Sequence, residues 1–318
     1  MDAAKGVCML IIMCCHIGVD IHVPMSHTVQ TTAFFLISGF FFSTKMDGNT
    51  MLRKGVLNIL VPFVIFYVLS YSLFYVGTTF VPNFGDLTTA SGILDCFTQR
   101  QYFNGPLWFL LCLFWVRCFV WLILRLPKEW MQIVAALILG WGGHFLGYKE
   151  IFIPLCLDIA LSSVPVFMAG VLIKKHVWLD KFNKVDSGIF AVVFYTSCLA
   201  IPIVIENSLN YSSGSYSATC YVSLAISISL VFLSKSLLDK SKLFAFIGRN
   251  TMWLMCTHHL VYRPVKIIVE RFVDNHTNSS ILIFVITLAI CLAVVPLVNE
   301  YTPWLVGKNK LNKKDNDN

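Results

Sequence analysis

Lys5 and His16 have side-chain types and a spacing that suit chemistry inside a membrane helix. They lie eleven positions apart, and eleven steps of about 100° bring a helix back to within roughly 20° of its starting direction. Both side chains are therefore predicted to project from one face, separated by roughly 16 Å along the axis. A cation at the mouth of the membrane and a titratable ring near its middle describe a polar path into the bilayer.

The imidazole of His16 has two interpretations. A ring that faced lipid would leave its nitrogens unsatisfied, so an intramembrane His is expected to face a cavity or a partner. A neutral His bonded to a neighbouring helix would equally serve packing alone. Asp20 follows at i+4, where a continued helix would let it orient or charge the ring. This neighbour favours a catalytic His16 with Asp20 as its orienting partner.

Two short motifs after the first apolar stretch add further candidates. Ser38 offers a hydroxyl inside the membrane, and Gly39 lets another backbone approach closely, which helix packing would also explain. Arg53 and Lys54 precede the third stretch. Paired cations there commonly anchor a helix, and they would equally hold the phosphates of a nucleotide-bearing cofactor.

Two later apolar stretches contain polar groups of interest. Trp108 opens one of them as an interface anchor would, whereas Arg117 lies inside it, where a charge is expensive and usually faces a partner or water. In the other stretch, His258 lies nine residues beyond Arg249, roughly 13 Å along a helix. A second imidazole is thus predicted near mid-membrane, which weakens an explanation by packing alone.

The composition is that of an integral membrane protein. The 318 residues are 57% hydrophobic and 13% charged, against about 45–50% and 25% in soluble domains. The interval between apolar runs is never long enough for a soluble domain with its own core. Nearly all of the 11 cysteines fall inside apolar runs and form no C-x-x-C pair, so no metal site is predicted.

The apolar runs predict an all-α, polytopic membrane domain over residues 1–307, followed by a polar tail, 308–318, that is expected to be disordered. By the positive-inside rule both termini are cytoplasmic, because the intervals on the N-terminal side hold 18 of the 24 Lys and Arg residues. The net charge of +7 then reflects orientation and gives no reason to propose nucleic acid. Ten helices are predicted, at about 4–23, 28–44, 56–76, 107–124, 130–147, 151–173, 188–205, 217–234, 250–268 and 281–299.

Six motifs follow one another along the chain: Asp2, Lys5-x10-His16, Phe35-x-x-Ser38-Gly39-Phe40, Pro62-Phe63, Pro106-Leu-Trp108-Phe-Leu and Gly248-Arg-Asn250-Thr-x6-His258. Taken in order, they resemble the motifs of acyltransferase family 3, whose ten-span membrane proteins move acetyl or other short acyl groups onto sugars of lipopolysaccharide, capsule, peptidoglycan or exopolysaccharide. One branch of that family has a Glu where this chain has Leu113, and many members have Arg in place of Lys5.

The resemblance implies an acyl-CoA donor, acetyl-CoA above all, that enters from the cytoplasm with its phosphates near Lys5 and its thioester near His16. His16 would act as a general base or as an acyl relay, and Ser38 or a backbone donor beside Gly39 would stabilise the oxyanion. Arg53 and Lys54 would join Lys5 at the phosphates. The secondary site candidates are Trp108, Arg117, Asn250 and His258.

The sequence thus predicts an O-acyltransferase of the inner (cytoplasmic) membrane, foremost an O-acetyltransferase. Its acceptor would be a sugar hydroxyl of a bacterial surface glycan or its lipid-linked precursor, such as O-antigen, capsule or exopolysaccharide. The alternative is a transporter of a small anion or a lipid-linked sugar, which a polar interior path would also suit. No matching pair of Gly- or Pro-broken segments in two halves supports that alternative. An enzyme-like fold turned sensor or scaffold is a third interpretation.

Overall fold

Apolar runs punctuated by Gly, Pro and short polar turns fold into helices. The computed structural model describes residues 1–20, 26–81, 92–94, 103–199, 216–273 and 275–308, and within these residues every regular element is helical. Most of residues 76–105, residues 207–215 and the tail from residue 309 lie outside the described residues.

The described elements are eleven helices joined by short 3₁₀ turns. The helix α3 is continuous through a π-helical segment, Val56–Leu60. The helices are α1 Asp2–Ile17, α2 Ser26–Phe40, α3 Gly48–Phe80, α4 Trp108–Ile123, α5 Glu129–Tyr148, α6 Leu157–Lys175, α7 Lys184–Leu199, α8 Tyr216–Leu238, α9 Lys242–Arg249, α10 Thr251–Val269 and α11 His276–Tyr301.

Each of the ten predicted segments overlaps one of these helices, and α9 is a short addition. By length and composition, six are suited to cross a membrane: α3, α4 and α6 with the turns before them, α5, α8 and α11. The helices α1 and α2 are 16 and 15 residues long, shorter than the roughly 20 residues of a full span. The count of ten spans and the orientation of the termini stay predictions.

The first predicted span, 4–23, is wrong at its C-terminal boundary, because α1 ends at Ile17. Gly18 takes the left-handed conformation (φ 84°), and its N–H donates to the carbonyl of Cys14. The N–H of Val19 donates to the same carbonyl, which closes the helix as glycine C-caps do. Asp20 therefore lies beyond the helix, and the i, i+4 helical geometry predicted for it with His16 is wrong.

One end of the bundle, at which α1 begins and α2 ends, collects the basic intervals of the chain; it is called the N-terminal end below. Arg125 after α4 donates to the carbonyl of Met46 after α2 (2.9 Å). Lys184 at the start of α7 lies 3.6 Å from Asp239, just after α8. Further contacts at this end join Lys5 to Phe41, Lys175 to Glu129, and Lys308 to Asn250.

Two helix crossings depend on glycines. A Cβ at Gly248 would lie 1.8 Å from the carbonyl oxygen of Asp2, and a Cβ at Gly39 would lie 1.9 Å from the carbonyl oxygen of Phe167. The backbones of α1 and α9, and of α2 and α6, thus touch directly at these points. The crossing at Gly248 fixes the start of α1, which carries two of the predicted site residues.

Candidate active site

Three histidines from two helices meet inside the bundle. His16 lies one residue before the end of α1, and His258 and His259 lie on α10. The ring centroid of His16 is 5.5 Å from that of His258 and 4.9 Å from that of His259, and the latter two are 5.0 Å apart. One ring nitrogen of each residue lies within 4.8 Å of the others.

The histidines meet because α1 crosses α9, directly before α10, in a close backbone contact. Gly6 and Gly248 pack against each other, since a Cβ on Gly248 would lie 3.1 Å from the backbone N of Gly6. His16 follows Gly6 by ten residues along α1, and His258 follows Gly248 by ten residues across the non-helical Asn250 between α9 and α10. The two histidines are therefore the same number of residues from the crossing, and their ring centroids lie 5.5 Å apart.

The three imidazole rings differ in burial and in hydrogen bonding. His258 is fully buried, His259 is nearly so, and His16 is exposed. The Nδ1 of His258 lies 2.7 Å from the carbonyl oxygen of Leu254. Because a carbonyl only accepts, Nδ1 carries the proton and Nε2 of the neutral ring presents a lone pair. Among the described residues, that Nε2 and both nitrogens of His259 have no hydrogen-bond partner.

The turn before α4 forms a wall beside the cluster. The Nδ2 of the buried Asn104 donates to Ser70 Oγ (2.8 Å) on α3 and to the carbonyl of Cys256 (3.1 Å) on α10. A Cβ at Gly105 would lie 3.5 Å from Cε1 of His259. These bonds tie α3, α4 and α10 together at the level of the histidines.

A cation lies one turn beyond the cluster on α10. The Nη2 of Arg263 donates to the carbonyl of Phe103 (3.3 Å), and its guanidinium carbon lies 4.6 Å from the centre of the Phe74 ring. Tyr262 stacks edge-on against His259, with centroids 5.2 Å apart. The far side of the cluster is therefore lined by a held guanidinium and aromatic rings.

Several cations lie at the N-terminal end of the bundle, on the opposite side of the histidine cluster from Arg263. Lys5 Nζ lies 3.7 Å from the Asp2 carboxylate and 3.9 Å from the centre of the Phe41 ring. The guanidinium of Arg117 on α4 lies 5.7 Å from the ring of the next residue, Phe42. Lys5 and Arg117 therefore flank consecutive aromatic residues just beyond α2. Arg53 is exposed and Lys54 is half-buried, both on α3 just before its π-helical segment.

Ser38 and Gly39 are not brought to His16. Since α1 and α2 are antiparallel neighbours and Lys5 contacts Phe41, Ser38 lies at the level of Cys8, about 12 Å along α1 from the level of His16. Gly39 instead forms the close crossing with α6. The geometry at Gly39 is that of helix packing, the alternative interpretation of this motif.

Asn250 connects several elements through its side-chain hydrogen bonds. Asn250, between α9 and α10, donates to the carbonyl of Phe246 (2.8 Å) and accepts from Lys308 (2.8 Å) and Asn299 (3.1 Å). These bonds attach the C-terminal end of α11 and the residues after it to the N-terminal end of the bundle. Trp108, the first residue of α4, is buried against Phe109.

Sequence reasoning missed His259, Asn104 and Arg263. His259 directly follows His258, and neighbouring helix residues point about 100° apart, yet the ring of His16 contacts both. The side-chain bonds of Asn104 span 34 and 152 positions of the chain, which no local pattern predicts. Arg263 lies on an apolar stretch one turn from His259. A charge inside such a stretch is a signal of a functional residue, and it would have been enough to name Arg263 as a candidate.

The arrangement places an accessible imidazole, backed by a second with a fixed tautomer, on the same helix as a cation about 16 Å away. A family model described as an acyltransferase domain, that of acyltransferase family 3, matches residues 1–299. The chain belongs to acyltransferase family 3.

The family match and the apolar helices together make this acyltransferase a multi-pass membrane protein. No curated protein matches the acyltransferase, and no solved structure matches it. Its substrates must therefore be argued from its own residues.

Proposed function

We propose that this acyltransferase moves an acetyl or other short acyl group from cytoplasmic acyl-CoA to a sugar hydroxyl of a bacterial surface glycan or its lipid-linked precursor. It would act in the inner membrane on O-antigen, capsule or exopolysaccharide. The observation that carries the proposal is the contact of His16 with His258, at one end of a helix whose other end carries Lys5. This contact supports a role for His16 as the base, and α1 would then hold it about 16 Å from the proposed phosphate-binding cation.

The donor suits this layout because coenzyme A joins an anionic nucleotide to a long, thin arm that ends in the thioester. Lys5 would bind phosphate oxygens at the N-terminal end, where its ammonium now lies beside Asp2. Arg53 and Lys54 lie at the start of α3, which packs on α4, and add positive charge. The arm would then follow α1 over about 16 Å to His16.

The chemical step needs one base. The sugar hydroxyl attacks the thioester carbonyl carbon while a ring nitrogen of His16 takes the hydroxyl proton. The tetrahedral intermediate then collapses, the carbon–sulfur bond breaks, and the imidazolium returns the proton to the coenzyme A sulfur. In an acyl-His relay, the His16 nitrogen would attack first and the sugar oxygen second, with the same net balance.

His258 is proposed as a positioning residue. Its Nδ1–H donates to Leu254, so the lone pair on its Nε2 is available to accept a hydrogen bond. The ring of His16, 5.5 Å away between centroids, would donate its second N–H there while its first nitrogen takes the sugar proton. His258 would thus orient His16, as the third group does in a nucleophile–base constellation. An orienting role for Asp20 stays a prediction.

The experiment follows release of the free coenzyme A thiol by purified protein supplied with acetyl-CoA and glycan acceptor. Wild type and the His276→Ala control, an exposed histidine at the start of α11, should release thiol, whereas His16→Ala should be slower by about 10²–10⁴-fold. A transporter has no reason to cleave the thioester. Equal thiol release by wild type and His16→Ala would overturn the proposal.

A further inference from the structure

The His16–His258–His259 cluster has the composition of a transition-metal site, although the sequence predicts no metal. We infer that these three side chains bind one divalent metal of the zinc class, and that metal bound there stops acyl transfer. The binding half of the inference stands on the geometry of the cluster alone. The inhibition half rests on the proposed function of His16.

The dimensions of the cluster are close to those of a metal site. One nitrogen of each ring lies within 4.8 Å of the other two. Zinc–nitrogen bonds of about 2.0–2.1 Å in a tetrahedron hold ligand nitrogens about 3.4 Å apart. Each ring would have to move inward by about 1 Å, which small rotations of the side-chain torsions provide. His16 is exposed and next to the end of its helix, so it has the most room to move.

The hydrogen bonding of the buried rings matches that of metal ligands. A histidine that binds a metal through one nitrogen usually donates its other N–H to a carbonyl or carboxylate. His258 already does so, since its Nδ1–H donates to Leu254 and its Nε2 points a lone pair elsewhere. Within the described residues, neither nitrogen of His259 has a hydrogen-bond partner. A metal would satisfy one of these buried polar atoms.

The ligand set selects the class of metal. Three imidazoles suit zinc, copper, nickel and cobalt, whereas magnesium and calcium require oxygen ligands. All three members of the cluster are histidines, and the guanidinium of Arg263 lies one turn from His259 and opposes a cation. We therefore expect weaker binding than at a three-histidine site without a neighbouring cation, with zinc clearly preferred over magnesium.

Inhibition follows from the chemistry of His16. A ring nitrogen that donates its lone pair to a metal is unable to take the proton of a sugar hydroxyl. The same bond draws His16 onto His258 and His259 and removes it from the approach of the thioester. Zinc should thus lower the turnover rate, and a chelator should restore it.

The experiment titrates purified, chelator-treated protein with Co²⁺ and follows the visible absorption of nitrogen-bound cobalt, then displaces the cobalt with Zn²⁺ or Mg²⁺. We expect one Co²⁺ per chain, displaced by Zn²⁺ and not by Mg²⁺. His259→Ala should bind at least tenfold more weakly, and the His276→Ala control should match wild type. His258→Ala is the second ligand variant, for use if His259→Ala fails to fold.

Three results would overturn metal binding at this cluster: no stoichiometric cobalt, equal affinity in the ligand variants, or the intense charge-transfer band of a thiolate ligand. The last result would assign the metal to cysteines, of which the chain has 11. Turnover of acetyl-CoA is measured for each variant in zinc relative to its own rate in chelator. Binding without inhibition would overturn the inhibition half. Binding by a protein with no acyltransferase activity would leave the metal site standing and reject the proposed function.

Discussion

Among single residues, His258 gives the clearest prediction. The proton on its Nδ1 leaves a lone pair on its Nε2, which is available to accept a hydrogen bond from His16. Replacing His258 with Leu removes that acceptor, whereas Gln keeps a polar acceptor in the side chain. A neutral hydrogen bond is worth about 1 kcal/mol, so His258→Leu should lower kcat about five- to tenfold with little change in KM for acetyl-CoA. His258→Gln should recover part of the loss.

Steady-state kinetics on the two His258 variants check this prediction, with the Tm of each protein as the control for folding. A rise in KM at constant kcat would assign His258 to substrate binding. Equal losses in Leu and Gln variants would show that the ring has a packing role only.

At this scale, helix periodicity predicts a shared face for Lys5 and His16 and a similar depth for His258, and the structure places Lys5 and His16 on one helix. Periodicity was not enough to join the two histidines. That contact depends on the crossing of α1 and α9 at Gly6 and Gly248, which lie 242 positions apart in the sequence. Long-range packing of this kind leaves no mark in a local pattern.

At the level of helices, the close packing of α2 against α6 at Gly39 is open to a direct test. A Cβ at Gly39 would lie 1.9 Å from Phe167 O, so Gly39→Ala must push α2 away from α6. Overpacking of this kind costs about 1–3 kcal/mol, and the Tm of the purified protein should fall by several degrees. The matched control is Gly142→Ala on α5, where an added Cβ meets nothing within 4 Å; it should leave the Tm unchanged or slightly raised.

Thermal unfolding and acetyl-CoA binding are measured on both glycine variants. Normal stability of Gly39→Ala together with lost acetyl-CoA binding would contradict the packing role and support the place beside the donor thioester that the resemblance implies for Gly39.

The sequence contained most of the information about the elements, because runs of about 20 apolar residues are a strong signal. The two errors, the end of the first helix and the absence of α9, arise from short local features of the sequence. Gly18 is a typical helix C-cap, but the apolar residues around it extended the predicted span to residue 23. The short helix α9 has eight residues and is too short to be detected as a span.

On the scale of the whole molecule, the arrangement of charge predicts how the bundle lies in the membrane. The N-terminal end gathers the basic intervals, and the positive-inside rule places that end in the cytoplasm. A fluorescent-protein fusion at the C-terminus should therefore fluoresce, and an alkaline phosphatase fusion there should be inactive. Phosphatase inserted after Lys149, between α5 and α6, should be active. The reverse pattern would contradict the orientation and the cytoplasmic entry of the donor.

Fold class and family followed from the sequence because apolar length and ordered motifs extend over most of the chain. The identity of the acceptor did not follow, because no residue pattern in the chain specifies a particular sugar. The three-histidine cluster, by contrast, exists only in the folded protein, where two helices bring distant residues together.

The most direct test of the central claim, that His16 transfers an acyl group to a surface glycan, is mass spectrometry of surface polysaccharide. The cells carry wild-type protein, an empty vector, His16→Ala or the His276→Ala control, with equal expression of the three proteins. We expect an added acyl mass in glycan from wild-type and His276→Ala cells alone. The same mass in glycan from His16→Ala cells would contradict the proposed role of His16.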